Sequence, residues 1–361
     1  MGKGIYDEEL YLFFRRSCLS LQRQFVERLD VSRMPRVFLH GNPHVDNFAK
    51  TEFGEAMIDF DRSRHGPYAW DLVRFMSSLA LRQAEPDSKF LHKNVVSALS
   101  EGYQEGFEKP DSVSKAAPEL LSHERPAPHE TSMRAYLAAN HRWAKKMRKN
   151  PIFTSHPTVR SLIQLYFRGR NEPDFESRFT IEEAGIASGT LGKPRVLVVL
   201  APKDLKSDKI LLDIKEVYED PDTEYFFNPY VHHGLRMIEA SYLHAPGFEQ
   251  RLGFLTWRDR QYWARRVPCF KAKLKGALPP SKQRDLALSV GLQLGRAHRR
   301  SLRETKPKEL LRHLKDSLAD FLSASKKLNK ELIQSWNQQR ELDKKSKSSK
   351  QESHREMPLS R

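Results

Sequence analysis

Apolar residues recur at helical spacing in several parts of this chain. The first such segment predicts an amphipathic helix over residues 7–29, because apolar side chains return every three or four positions at Leu10, Phe14, Cys18, Leu21 and Phe25. Similar spacing predicts further helices at 71–82, 231–243, 283–300 and 307–336. Residues 87–170 are expected to be mostly helical, with an interruption at the proline-rich stretch 124–128.

Shorter apolar runs predict β-strands. Residues 36–40 and 56–60 flank a polar loop, and Gly54 suits a hairpin-like turn before the second run. Farther along, we expect three runs to form a small antiparallel sheet, at 178–181, 195–200 and 210–214, with glycines and a proline between the first two. Further strand signals lie at 254–257 and 262–267. From Glu341 onward the chain is rich in Lys and Ser without periodic apolar residues, which predicts a disordered basic tail at 341–361.

Charge narrows the choice of partners. The chain carries 62 Lys and Arg against 46 Asp and Glu, a formal net charge of +16, which favours anionic partners such as nucleotides, nucleic acid or phosphorylated substrates. Residues 256–300 hold twelve of these cations and only two acids. That stretch is either a solvated surface or a nonspecific nucleic-acid binder. We find no RNA- or DNA-binding motif, so charge alone supports the second interpretation.

Three further features of the sequence bear on the cellular location of the protein. No apolar run is long enough to span a bilayer, the first residues turn acidic before any apolar stretch, and two cysteines give neither a disulfide framework nor a zinc cluster. We therefore expect a cytoplasmic protein without membrane association.

The segment His40–Phe48, followed by Ile58–Asp61, carries the most informative chemistry. Phosphoryl transfer requires a group that orients the acceptor hydroxyl, ligands for a metal ion and cations on the phosphates. Asn and Asp oxygens suit Mg²⁺, and a strand–loop–strand hairpin can bring two of them to one ion. The candidate catalytic residues in this block are His40, Asn42, Asp46 and Asp61. The candidate metal ligands are Asn47 and Asp59.

A second block offers candidate phosphate-binding groups. A turn containing Gly185, Gly189 and Gly192 lets the backbone approach phosphates closely. Lys215, on the third predicted strand, can reach those phosphates, and Glu239 on the next helix can pair with it. Arg265, at the end of a strand, faces either the phosphates or a carboxylate. Each signal alone is weak, because a lone glycine turn is usually an ordinary loop.

These motifs together resemble two groups of proteins. The first block is similar to the H-G-D-x-H-x-x-N loop and acidic strand of aminoglycoside phosphotransferases and choline-kinase-like enzymes. It resembles more closely the uncharacterised bacterial domain-of-unknown-function 2252 family, whose motifs match here at Gly41–Phe48, Asp59–Asp61, Gly66–Arg74, Gly189–Gly192 and Ile214–Glu216. The resemblance implies a two-lobed, protein-kinase-like α+β fold that binds ATP and Mg²⁺. It also places Gly189, Thr190 and Gly192 at the nucleotide phosphates.

The order of the motifs differs from that of ordinary kinases. There the glycine-rich turn, the lysine strand, the pairing helix and a helix ending near a histidine precede the catalytic loop, whereas here the loop comes first. We therefore expect a circular permutation. The expected segments are a helix-rich large lobe with the catalytic loop at 1–170, a small antiparallel-sheet lobe at 171–270, and helices returning to the large lobe at 271–340.

Asn42 departs from the resembling families, which carry Asp at this position. Asn has no carboxylate and cannot act as a base. Three hypotheses follow: a pseudoenzyme that binds nucleotide, a carboxylate supplied by Asp46 or Asp61, or slow transfer through positioning and charge alone. We expect a kinase-like nucleotide-binding protein with weak or absent transfer. Its acceptor, a small molecule or a protein, is not encoded in any motif.

Overall fold

The computed structural model of the protein describes residues 6–84, 90–112, 117–188, 193–204 and 206–355. Helices and antiparallel strands both contribute, so the expected α+β class is confirmed. The predicted phosphate-binding residues Gly189, Thr190 and Gly192 lie outside the described residues.

The predicted helix 7–29 is broken at Ser17 into α1 (Glu8–Arg16) and α2 (Cys18–Arg28). The Ser17 hydroxyl donates to the carbonyl of Phe13 (2.8 Å), and such local hydrogen bonds compete with the regular helical ladder. Asp7 caps α1, because its carboxylate accepts from the N–H groups of the first turn.

Around the first predicted block, the strand pairing differs from the expectation. Strand β1 (Arg36–Leu39) pairs with β4 (Arg64–Pro67), while the hairpin consists of β2 (Phe48–Thr51) and β3 (Gly54–Met57). The predicted strand 56–60 therefore stops at Met57, since Asp59 adopts a left-handed backbone with φ 74° that a strand cannot accommodate. A short strand from far along the chain, β10 (Ala272–Lys273), adds to β2.

The predicted small sheet is present and has five strands in the order β5-β6-β7-β9-β8, all antiparallel. Its strands are β5 (Phe179–Ser188), β6 (Pro194–Pro202), β7 (Ile210–Glu216), β8 (Gly253–Trp257) and β9 (Arg260–Arg266).

Helices cover both faces of this sheet. One face packs against α5 (Met133–Ala138) and α6 (Arg142–Lys149), and the other packs against α7 (Pro157–Gly169) and α8 (Phe175–Arg178). Helices that precede residue 170, as well as α8 after it, therefore cover this sheet. The continuous apolar run of β6 is buried on both faces and requires a cover on each side.

The remaining helices form the larger apolar core with α1 and α2. They are α3 (Ala69–Ala80), α4 (Lys93–Glu108), α10 (Pro280–Ser301) and α11 (Pro307–Arg355). Helix α9 (His233–His244) contacts β8 and β9 and packs in a separate apolar cluster with Phe38, Ile58 and Trp263. Helices α4 and α10 approach closely, since a Cβ atom at Gly106 would lie 2.1 Å from the carbonyl oxygen of Leu292.

Helix α11 continues past Glu341, where the sequence predicted a disordered tail. Extending an existing helix needs no new nucleation, and the Lys, Gln and Glu residues of this segment are adequate helix formers. Among the described residues, no helix combines the length and apolar character required to cross a membrane.

The backbone conformation of the His40–Phe48 segment depends most on Gly41. Its φ is 83°, and a Cβ atom would lie 1.8 Å from the carbonyl oxygen of Arg62. We predict that Gly41→Ala lowers the free energy of unfolding by about 3 kcal/mol or more, measured by urea denaturation.

Gly247→Ala is the matched control, because Gly247 has φ 79° and no atom within 4 Å of the added Cβ. It should cost only about 1–2 kcal/mol from backbone strain. Equal losses for the two variants would show that contact with Arg62 is unimportant.

Candidate functional site

A buried carboxylate holds the loop that follows β1. Asp71, in the first turn of α3, accepts hydrogen bonds from the N–H groups of His40 (2.7 Å) and Gly41 (3.0 Å). Nε2 of His298, on α10, lies 3.2 Å from the same carboxylate, and its Nδ1 lies 2.9 Å from the hydroxyl of Tyr103. This chain of hydrogen bonds ties the loop to α3, α4 and α10.

The β2–β3 hairpin brings the two predicted metal ligands together at its open end. The N–H of Ile58 donates to the carbonyl of Asn47 (2.8 Å), so Asn47 and Asp59 leave the hairpin beside each other. The Asn47 amide nitrogen donates to the carbonyl of Asn42 (3.3 Å), whereas its buried Oδ1 has no hydrogen-bond partner among the described residues. An unpartnered amide oxygen beside a carboxylate fits the oxygen ligands that Mg²⁺ prefers.

Asp59 is held in its ionised form by nearby cations. Its side chain is accessible to solvent through a cleft whose walls surround it. Burial raises the pKa of the Asp59 carboxyl, but Lys215, Lys273 and Lys271 together lower it below its ordinary value. The site therefore presents a charged carboxylate over the neutral pH range.

Lys215 extends into this cleft from β7, the middle strand of the five-stranded sheet. In the cleft it forms an ion pair with Asp61 Oδ2. The predicted pairing of Lys215 with Glu239 is not observed. Asp61 lies in the loop that β7 faces. Helix α9 directs Arg236, rather than Glu239, toward this loop, and the Arg236 guanidinium donates to the Asp61 carbonyl (3.0 Å). Glu239 lies instead near Tyr230.

The cleft has a volume of about 420 Å³ and is strongly basic. Ten cationic side chains line it, against the two acids Asp59 and Asp61: Arg15, Arg16, Arg62, Arg142, Lys146, Arg195, Lys215, Arg265, Lys271 and Lys273. Its volume falls within the range of small-molecule sites, about 300–1,000 Å³. Such a cleft attracts phosphorylated ligands.

Asn42 lines the cleft, and its side-chain oxygen is engaged by Arg74. The Nε of Arg74 donates to Asn42 Oδ1 (2.9 Å), and burial lowers the pKa of this arginine to about 10. Arg74 has no carboxylate partner among the described residues. An Asp at position 42 would supply one.

Of the two alternative carboxylates, Asp46 is already neutralised. Arg15 binds its Oδ2 (3.0 Å) and Arg82 binds its Oδ1 (2.6 Å). Asp61 is also paired, yet its Oδ1 has no hydrogen-bond partner among the described residues. Asp61 is therefore the less fully occupied of the two carboxylates.

His40 does not reach the cleft. Its side chain is fully buried, with its ring centroid 5.2 Å from that of Phe60 and 5.5 Å from that of His244. His40 therefore supports the loop from within the core, and its predicted catalytic role gains no geometric support.

Two lysines in the cleft were not identified from the sequence. Strand β10 pairs with β2, and Lys271 and Lys273 line the cleft near Asp59. Burial, together with Lys273 and Arg265, lowers the pKa of Lys271 to about 7. The signal available was the alternation Lys-Ala-Lys within the basic stretch, which indicates two cations on one face of a strand.

Arg265 also lines the cleft, where it is paired with Glu249 and lies 4.0 Å from Asp213. The alternative that Arg265 faces a carboxylate is therefore observed, and its contact with phosphates stays a prediction. The other cations of the 256–300 stretch do not share one surface. Arg296 is buried and donates to the His244 carbonyl, whereas Arg300 pairs with Asp111 at the protein surface (2.7 Å).

Comparison with known proteins places the chain in a family. The family described as "Uncharacterized protein conserved in bacteria (DUF2252)" matches residues 7–162 and 178–344. The chain belongs to this family. No curated protein and no solved structure matches the chain.

The buried histidines predict a dependence of DUF2252-protein stability on pH. Burial lowers the pKa of His40, and lowers those of His44 and His244 well below their ordinary value of about 6.5. Below about pH 6.5 the unfolded chain gains protons that the folded chain excludes. The free energy of unfolding should therefore fall as pH decreases from 7 to 5, by up to about 1.4 kcal/mol per pH unit for each histidine.

Urea denaturation across this pH range measures the effect. His244→Phe keeps an aromatic ring beside Phe60 and removes one titrating group, so its pH slope should be shallower than that of the wild type. An unchanged slope would contradict the assignment to buried histidines.

Proposed function

We propose that this protein binds a nucleoside triphosphate with Mg²⁺ in the basic cleft, as a kinase-like protein with weak or absent phosphoryl transfer. The observation that carries the proposal is the convergence of Lys215 with Asp59 and Asp61 in one cleft. These residues come from distant parts of the chain, and the Lys215–Asp61 ion pair joins positions 154 residues apart.

The order of the elements supports a permuted kinase-like arrangement. The hairpin of β5 and β6, the lysine strand β7, helix α9, the β8–β9 hairpin and the His298 helix follow one another as the resemblance requires. The last turn of α10 also lies against β1, since the N–H of Phe38 donates to the Ser301 hydroxyl (3.0 Å). A permutation requires such neighbouring ends.

Each residue has a role in this proposal. Lys215, Lys271 and Lys273 bind phosphate oxygens, and Asn47 with Asp59 holds Mg²⁺, which neutralises charge on the transferred group. Asn42 orients a hydroxyl by hydrogen bonding but cannot accept its proton. Asp61, paired with Lys215, keeps that lysine directed into the cleft.

We predict that Mg²⁺-dependent binding of a non-hydrolysable ATP analogue, measured by calorimetry, weakens at least tenfold in Asp59→Asn and in Lys215→Met. Each variant removes a charge that contacts the metal or the phosphates, and charge-assisted hydrogen bonds contribute about 1.5–3 kcal/mol. Asn also tolerates the left-handed backbone at position 59.

The chain offers a matched control for each variant. Asp259→Asn changes another aspartate with a left-handed backbone (φ 58°), in the β8–β9 turn. Lys209→Met removes an ion-paired lysine just before β7, bonded to Glu182. Both should bind as the wild type does, and a wild type that binds no nucleotide would refute the proposal.

The variant Asn42→Asp tests whether the protein lacks only a catalytic base or has lost phosphoryl transfer altogether. The carboxylate would pair with Arg74, so we expect the free energy of unfolding to rise by about 1–3 kcal/mol. We also expect nucleotide hydrolysis or transfer to increase, because a carboxylate can align or deprotonate the acceptor. Asn42→Ala should do neither.

The two measurements are independent of each other. Increased stability without any gain in turnover would mean that binding, and not catalysis, is the function of the cleft. No change in stability would contradict the assigned contact with Arg74.

A further inference from the structure

The cleft holds more positive charge than its own carboxylates neutralise. Several of its cations are paired: Arg62 with Asp220 (2.7 Å), Arg195 with Asp213 (3.4 Å), and Arg15, Lys215 and Arg265 as described above. Five others form no ion pair with a carboxylate among the described residues: Arg16, Arg142, Lys146, Lys271 and Lys273.

These five cations come from different parts of the cleft. Lys271 and Lys273 lie beside Asp59, where the proposed nucleotide phosphates would bind. Arg142 and Lys146 belong to α6, and Arg16 belongs to α1. All three of these residues are exposed at the cleft wall.

Trp143 organises the cations of α6. Lys146 Nζ lies 4.5 Å from the centroid of its ring, and the guanidinium carbons of Arg195 and Arg142 lie at 4.6 and 5.7 Å. Cation–π contacts of this kind restrict flexible side chains. Trp143 therefore places a pre-arranged group of cations on the wall of the cleft.

We propose that Arg142 and Lys146, arranged around Trp143, form together with Arg16 of the same cleft a second anion subsite that binds a phosphorylated small molecule beside the nucleotide. The inference rests on the proposed function, because it assigns the nucleotide to the lysines near Asp59. A cationic amine is excluded as the second ligand, since these side chains would repel it.

A small ligand fits the subsite better than a macromolecule does. The three cations converge on a concave cleft of about 420 Å³, whereas a nucleic acid requires a continuous exposed basic track. Phosphate groups form strong, charge-assisted hydrogen bonds with Arg and Lys.

Calorimetry with two ligands tests the subsite. The protein is first saturated with Mg²⁺ and a non-hydrolysable ATP analogue, and fructose 1,6-bisphosphate is then titrated as the anionic probe. Fructose serves as its uncharged counterpart and choline as a cationic probe. We expect binding of the bisphosphate alone.

The double variant Arg142→Gln/Lys146→Gln should weaken bisphosphate binding at least tenfold and change nucleotide affinity by less than about threefold. The control is Lys145→Gln/Lys149→Gln, which removes two exposed cations of the same helix that do not line the cleft. It should leave both affinities unchanged.

The outcomes separate this inference from the proposed function. Absence of bisphosphate binding, or equal losses in both double variants, would overturn the subsite. If the nucleotide does not bind, the proposed function fails. Titration of the nucleotide-free protein with the bisphosphate then still decides whether Arg142 and Lys146 form an anion subsite.

Discussion

The ion pair between Lys215 and Asp61 connects the five-stranded sheet to the loop that also carries Asp59. Both side chains are largely shielded from solvent, at 12% and 15% exposure. Partly buried pairs add little net stability, because desolvation offsets much of the attraction. Their geometry is restrictive, however, and this pair joins β7 to the loop of Asp59 at the wall of the cleft.

Accumulated positive charge is the second constraint on the site. Carboxylates behind the cleft wall, including Asp46, Asp213, Asp220 and Glu249, hold arginines in place through ion pairs. Burial, together with repulsion from Lys273 and Arg265, lowers the pKa of Lys271. An anionic ligand would relieve this repulsion, so the same charge that destabilises the free protein would strengthen binding of an anion.

The sequence predicted which segments form helices and strands better than it predicted which of these segments pair with each other. Helical and strand periodicity located most elements, and the spacing from Asn42 to Asn47 and Asp59 selected two residues that leave the β2–β3 hairpin beside each other. Pairing between distant segments has no local signal. For this reason the union of β10 with β2 was missed, and with it Lys271 and Lys273. The helix break at Ser17 depends on side-chain contacts that periodicity does not encode. The pairing of Lys215 with Asp61 instead of the predicted Glu239 depends on such contacts as well.

The location of a bound metal tests the central claim most directly. Crystals grown with Mn²⁺ and a non-hydrolysable ATP analogue would show the metal in an anomalous difference map. The account predicts one peak bonded to Asn47 Oδ1 and the Asp59 carboxylate, with the phosphates of the analogue against Lys215. A nucleotide bound elsewhere, or Mn²⁺ bound without contact to Asn47 and Asp59, would contradict it.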